Sequence, residues 1–451
     1  MHAKDKAING RSIQVDPTFP YYRERSALSV AEEIRLAGYD IVHYFVVNEH
    51  RVNRALIDAF QSCGISVWAM VLGNGTFSTD KYPAEWLSWQ MGMVKPVNDG
   101  YTRLSPFSEG YRKWKKAAVA ELVYLYPFDG IEIAEPYFPE WDGIRRGVYG
   151  DVGPLAAEAF RAYCGYDMPE FADTRSPRYY KKIPDVYERW VKFRVDAVNG
   201  FVDDLINGSG GARSARPDIA VATWSLAVRG GERSAALLRE LQGLEASSMI
   251  AKVKPDIHYL QTHWPDWTRS DLPPDYIHEY APFVREIRAA HPALPLGVQA
   301  DIGSARNMVK SGGWWRSMQT VAQRLGYGTT TAYEYHIGGY MYEERPMPVK
   351  AVRTAWNEIV ISFNKRIDEA SCRPPERVFR FRREDGEPVP VIVQAVRTDG
   401  NRVALRSADY PDADLVVELN GAIRDTPKLW LFKDKAPNTS AAGAEVAVQQ
   451  G

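Results

Sequence analysis

Two glutamates interrupt an apolar run in the stretch FDGIEIAEPYFPEWDG, Phe128 to Gly143. Burying a carboxylate is costly, so such residues need either a partner or a task. Glu132 lies inside the run, and two readings are open for it: a buried pairing, with an arginine as the expected partner, or a functional carboxyl. Glu135 closes the run before Pro136 and is read as functional. An aromatic, acidic segment follows it: Tyr137, Phe138, Glu140, Trp141 and Asp142. Other apolar runs end in the same way. Asp16, Glu49 and Asn74 follow the first three, and Trp224, Gln261, His263 and Trp264 follow later ones. Gln299 and Asp301 close a seventh run, and Tyr333, Glu334 and His336 an eighth. Two carboxyls facing each other across a groove can cleave a glycosidic bond, one as acid and the other as nucleophile or base. Asp301, then Glu334, are the candidates to partner Glu135. The remaining residues, with Tyr137 and Trp141, are candidates to hold a sugar. Each alone also fits a satisfied hydrogen-bonder in a barrel core.

The elements that must position these residues alternate. Apolar strand-like runs fall at 12–16, 41–47, 65–72, 130–134, 219–225, 256–262, 294–300 and 327–335. Segments with helical period lie between most of them, for example Ala27 to Ala37 and Val186 to Ile206, and a last helix is expected over Pro348 to Ile367. Strand–helix alternation with short connections implies right-handed parallel units. The expected fold is α/β, a (β/α)8 TIM barrel over residues 10–371. An open doubly wound sheet is the alternative. Polar residues at the C-terminal ends of barrel strands are where catalytic groups lie. The long excursion from Gly73 to Gly110 is rich in aromatics. It is either a groove wall or an inserted hairpin with its own small core. Beyond Pro375 the apolar period switches to two, with turn residues at Asp385-Gly386 and Asp399-Gly400-Asn401. A small antiparallel β domain is therefore expected over 372–434. Residues 435–451, small and polar, are expected to form a flexible tail.

The totals narrow the function. A net charge of -1 over 451 residues disfavours a nucleic-acid or anionic-membrane partner. The 13 Trp and 25 Tyr exceed what a core needs, and such rings stack on the apolar faces of sugars. The three cysteines, Cys63, Cys164 and Cys372, are far apart, and no His-x-His is present. Neither a metal nor another cofactor is expected. No run approaches the roughly 18 apolar residues of a membrane span. The first residues, MHAKDKAINGRS, carry no apolar leader. Localisation stays open between a cytoplasmic location, which this favours, and the mature form of a secreted protein. Gly303 and Gly338-Gly339 stand where barrels hold phosphate, but no lysine adjoins them. Oligomeric state is not legible.

Two family resemblances meet on the central stretch. Leu104-Ser105-Pro106, a helix, then Tyr126-Pro127-Phe128-Asp129-Gly130-Ile131 resembles a passage of glycoside-hydrolase-like barrels of bacterial polysaccharide metabolism. Glu135-Pro136 after a fourth strand resembles the Asn-Glu-Pro acid/base signature of the large retaining glycosidase clan. The resemblance implies a TIM barrel that hydrolyses an oligo- or polysaccharide, with Glu135 as general acid/base. This chain departs from the pattern at Ala134, where the clan has Asn, and at Asp301, where the clan has a Glu nucleophile. A non-catalytic carbohydrate-binding barrel is the second reading. A carboxyl separation of about 5 Å would imply retention, and one of about 6.5–9.5 Å inversion.

Overall fold

Strands buried on both faces read as near-continuous apolar runs, the mark of a parallel sheet covered by helices. Eight such runs form the strands β1 (Gly10–Val15), β2 (Ile41–Val46), β3 (Ser66–Leu72), β4 (Gly130–Ala134), β5 (Ala220–Ala227), β6 (Ile257–Thr262), β7 (Leu296–Ala300) and β8 (Thr329–Ala332). In this computed structural model, which describes residues 9–139, 143–300, 305–334, 343–431 and 433–451, each strand pairs in parallel with the next. β8 returns to β1, so the barrel closes. The open-sheet alternative is thereby excluded.

Side chains fill the lumen in layers. Trp68 on β3 lies where a Cβ on Gly130 of β4 would come within 2.4 Å of its ring. Tyr259 on β6 stands in the same relation to Gly297 of β7. Two large rings therefore occupy the barrel floor because two facing positions lack a side chain. The main helices are α1 (Ala27–Leu36), α2 (Arg54–Ser62), α3 (Glu109–Leu125), α4 (Pro154–Cys164), α5 (Pro184–Asn207), α6 (Glu232–Gln242), α7 (Ala246–Val253), α8 (Ala281–Ala290) and α9 (Gly312–Arg324). Ser26, Asn53, Ser108 and Ser311 cap α1, α2, α3 and α9 by accepting from a backbone N–H of the first turn. Among the described residues, no helix is long and apolar enough to cross a membrane.

The excursion 73–110 answers to both of its readings. A two-rung ladder joins Gly75–Thr76 to Thr102–Arg103. Tyr82 and Trp89 pack their rings on Trp114 of α3, with centroids 4.1 and 6.1 Å apart, as a small core of their own. The other side of the excursion lines the barrel mouth.

The C-terminal region differs from expectation in three respects. Pro348 to Ile367 is no helix: it forms β9 (Pro348–Ala355) and β10 (Glu358–Phe363), an antiparallel pair. Ile359, Ile361 and Phe363 are all buried at every second position, a strand period that outweighs helix propensity. The second domain therefore begins near residue 348 rather than 372. Third, the expected tail contains β16 (Ala442–Gln450), a central strand of the second sheet. That sheet also holds β11 (Phe379–Arg383), β12 (Pro388–Val389), β13 (Ala395–Asp399), β14 (Arg402–Arg406) and β15 (Leu415–Asn420). Its order is β12-β11-β15-β16-β9-β10-β14-β13. β16 runs antiparallel to β15 and parallel to β9, so the sheet is mixed. Val448 of β16 is buried, Ala444 and Val446 pack half-buried against the same core, and backbone pairing adds to them, so composition gives the strand little signal.

Two outcomes follow from this packing. Deleting residues 442–451 should expose the paired edges of β9 and β15 and lower the melting temperature by several degrees; an unchanged melting curve would show that β16 is dispensable. His258, buried on the outer face of β6, has Thr223 Oγ1 2.8 Å from Nδ1 and Ser225 Oγ 2.9 Å from Nε2. Burial pushes its pKa down to about 3, against about 6.5 in an unfolded chain. Between those values the unfolded state binds the extra proton, so stability is full above pH ~6.5 and falls as the pH drops toward 3. Melting temperatures from pH 7 to 4 should show this slope, and His258→Asn should reduce it, leaving the share of the similarly buried His263.

Candidate active site

The mouth of β4 is fixed from the side by β3. Gly73 N–H donates to Ala134 O at 2.7 Å, and Asn74 N–H points to Glu135 O at 3.4 Å. Asn74 Nδ2 donates to Tyr137 O at 3.3 Å. Held between these bonds, Glu135 adopts φ 51°, a left-handed conformation that costs a non-glycine residue of order 1 kcal/mol or more. Such strain persists only where surrounding contacts impose it. Here its consequence is that the carboxyl projects into the mouth instead of continuing the strand's alternation.

Below Glu135, the second glutamate is a structural centre. Glu132 is fully buried in the lumen. His43 Nδ1 of β2 lies 2.7 Å from its Oε2, and Gln299 Nε2 of β7 donates to both oxygens, at 2.9 and 3.1 Å. The buried pairing expected for Glu132 is present, with a histidine and a glutamine in place of an arginine. Gln299 Oε1 accepts from Trp224 Nε1 at 3.0 Å, and Gln261 Oε1 accepts from the same N–H at 2.7 Å. Tyr137 stacks on Trp224, centroids 5.7 Å apart and planes 11° from parallel. A chain of contacts thus runs from the centre of the barrel to the loop that follows Glu135.

Two cavities open at the mouth, of about 450 and 470 Å3. Phe77, Glu135 and Trp267 line both. The first is further walled by Asn74, Tyr101, Arg103, Tyr137, His263 and Trp264, and the second by Asp16, Phe45, Gln261, Tyr333 and Glu334. Glu135 stands at their junction. Tyr101 OH donates to its Oε2 at 3.2 Å. Burial raises the Glu135 pKa; the Tyr101 hydrogen bond and the nearby Arg103 oppose that shift. Arg103 is itself held by Asp99, with contacts of 2.7 and 3.1 Å. In the second cavity Glu334 is fully buried. Its Oε1 accepts from Asp16 N–H at 2.5 Å and its Oε2 from Tyr22 OH at 3.2 Å. Burial raises the pKa of Asp16, opposed by hydrogen bonds from Thr18. Burial likewise pushes His263 down to about 3, so it is neutral at any ordinary pH.

Of the residues singled out from sequence, Asp16, Asn74, Glu135, Tyr137, Gln261, His263, Trp264, Tyr333 and Glu334 line the two cavities. Trp224 and Gln299 lie beneath, in the network that carries Tyr137. Glu49 does not belong: it forms a buried ion pair with Lys115 of α3, away from both cavities. A polar residue at a strand end was here used to satisfy a lysine on the covering helix. Asp301, Trp141 and His336 lie outside the described residues. Sequence reasoning missed Phe77, Asp99, Tyr101, Arg103 and Trp267. The aromatic content of the excursion pointed to its role as a wall, but nothing in its spacing singled out Tyr101. Among the described residues, no group of three or more His, Cys, Asp or Glu side chains is placed to hold a metal ion.

No protein-family model matches the sequence, and no curated protein matches it. Solved structures do. A catalytic mutant of a GH42 β-galactosidase from G. stearothermophilus is 13% identical, with a TM-score of 0.51 over 73% of this chain and 51% of that one. A cold-adapted β-galactosidase from Rahnella sp. R3 is 13% identical, with a TM-score of 0.49 over 72% and 50%. An α-L-fucosidase from Paenibacillus thiaminolyticus is 14% identical, with a TM-score of 0.42 over 74% and 47%. This chain spans about half the length of each. At such identity the likeness is one of fold alone, a closed (β/α)8 barrel.

The network around Glu132 carries a stability prediction. Glu132→Leu strands His43 and the Gln299 amide without their acceptor, and should destabilise the protein by about 3 kcal/mol or more. Denaturant unfolding measures it; a loss below 1 kcal/mol would show that the carboxylate is not the keystone of the lumen.

Proposed function

We propose that this protein is a glycoside hydrolase, cleaving an O-glycosidic bond with Glu135 as general acid. The observation that carries the reading is the setting of this one carboxyl. It ends β4 of a closed barrel, in a strained conformation, at the junction of two cavities, with its pKa raised by burial. A desolvated carboxyl keeps its proton above the ordinary carboxyl range and so can deliver it to the leaving-group oxygen. Tyr101 OH then stabilises the carboxylate that results, and the Arg103 cation lies close enough to act in the same sense. The second carboxyl is Glu334 or Asp301. Glu334 lines the cavity that Glu135 also borders, and it is held there by hydrogen bonds from Asp16 N–H and Tyr22 OH. The aromatic walls, Phe77, Tyr137, Trp264 and Trp267, suit the apolar faces of a carbohydrate substrate.

The second reading, a barrel that binds carbohydrate without cleaving it, draws on Ala134. This residue lines the cavity beside Glu135 and offers no polar contact to a sugar.

Kinetics on aryl glycosides separate the two. Glu135→Gln should lower turnover on poor leaving groups by about 10²–10⁴-fold while sparing binding. Glycosides with activated leaving groups, which need no proton, should lose much less. Because the acid form is the active one, wild-type turnover should fall as the pH rises through the Glu135 pKa, and the variant should lack that limb. Equal loss on both kinds of substrate would remove Glu135 from the acid role. No hydrolysis by the wild-type protein, with sugar binding intact, would establish the binding barrel.

A further inference from the structure

The second domain does more than follow the barrel: one of its side chains reaches the loop that frames the second cavity. That loop, residues 16–26, joins β1 to α1. It supplies Asp16, Thr18 and Phe19 to the cavity wall and Tyr22 to Glu334. Three of its carbonyls, those of Pro20, Tyr21 and Arg23, converge on a single nitrogen. Arg366 Nη1 donates to them at 3.4, 2.7 and 2.7 Å. The Arg366 backbone N–H also donates to Tyr21 OH at 2.9 Å. Arg366 follows β10 and is only 9% exposed.

Its surroundings hold it in register. Ile367 N–H donates to Gly400 O at 3.0 Å, in the turn between β13 and β14. That turn lies flush on the barrel: a Cβ on Gly400 would stand 2.1 Å from the Arg25 guanidinium. Arg25 in turn lies 2.6 Å from Glu33 of α1, both buried, and donates to Asn401 Oδ1 at 3.1 Å. Asp399 accepts from both the N–H and the hydroxyl of Ser26. The loop is thus fastened at its far end by the 399–401 turn and in its middle by Arg366. Only its near end, at Asp16, belongs to the barrel strand.

We infer that Arg366 is a positioning residue for the cavity: by binding three carbonyls of the 16–26 loop it holds Tyr22 against Glu334. Buried carbonyls that lose their donor rearrange or take up water. A shift of the Pro20–Tyr22 turn would carry the Tyr22 hydroxyl, 3.2 Å from Glu334 Oε2, out of hydrogen-bonding range. Glu334 would lose a donor and a wall of its cavity together. The kinetic part of this inference rests on the glycosidase reading; the structural part does not.

The test uses the full chain with Arg366→Met, Arg366→Lys and Tyr22→Phe. Hydrogen–deuterium exchange should show protection lost over residues 17–25 in Arg366→Met, with β1–β8 unchanged. Arg366→Lys, whose ammonium carries three donors for the three carbonyls, should restore it. On 4-nitrophenyl glycosides, Arg366→Met should lower kcat by on the order of 10–10²-fold, as a misplaced group does, with KM nearly unchanged. Arg366→Lys should recover most of that loss. Tyr22→Phe, which costs the fold little, should reproduce part of the kcat loss without changing exchange. Unchanged protection at 17–25 in Arg366→Met would overturn the inference. So would lost protection with kcat within twofold of wild type. If Arg366→Met does not fold, Tyr22→Phe decides, and full kcat in that variant overturns the inference. Wild-type protein inert on every glycoside sinks the glycosidase reading and the kinetic part with it, and exchange alone then judges the clamp.

Discussion

A carboxylate in the centre of a closed barrel is cut off from bulk water and must be answered by donors on the surrounding strands. Glu132 is answered by His43 across from β2 and by the Gln299 amide from β7. Those partners lie on opposite sides of β4, so the carboxylate ties together strands far apart in the chain. The pairing also sets the next layer. Gln299 turns its carbonyl to Trp224, Trp224 carries Tyr137, and Tyr137 belongs to the loop that leaves Glu135. The position of the candidate acid is thus a consequence of a charge buried one layer below it.

That dependence explains how much could be read from the sequence. The eight strands were legible because a parallel sheet buried on both faces writes unbroken apolar runs, and such runs need no knowledge of partners. Glu132 and Glu135 were legible as anomalies within one such run. The partner of Glu132 was not, since His43 and Gln299 are ordinary residues in their own strands and meet it only when the barrel closes. The same holds for Glu49, whose partner Lys115 lies on α3 and meets it only in the folded barrel. The strained φ of Glu135 is imposed by Asn74 and Gly73 on the neighbouring strand, and no local signal announces it. Pro348 to Ile367 and the last ten residues failed for a different reason. β9 and β16 completely bury few side chains and are held also by backbone pairing inside an eight-stranded sheet, which composition does not record.

The mouth itself is assembled from parts with separate supports. The excursion after β3 brings Tyr101 and Arg103 to Glu135, and is anchored by its own aromatic core on α3. The loop after β1 brings Asp16 and Tyr22 to Glu334, and is anchored by the second domain. Two carboxyls bordering one cavity are therefore supported by different elements, which meet at Phe77 of the excursion, a residue that lines both cavities. Barrels vary chemistry in this way, by loops over a constant lumen.

Glu135 and Glu132 lie three residues apart and represent opposite uses of burial. Glu132 is satisfied by direct partners, and removing it should weaken the fold. Glu135 is desolvated with one tyrosine donor at 3.2 Å, in a backbone conformation that a carboxyl-bearing residue has no intrinsic reason to prefer. Its burial and its strain both count against stability, and the Tyr101 hydrogen bond and the nearby Arg103 offset the burial only in part. A residue that served only the fold would be better replaced by glycine, which tolerates φ 51° without steric cost. Strain together with an unfavourable desolvation at one carboxyl is what a group with a task at a substrate would show, and it is the physical ground for proposing Glu135 as the acid.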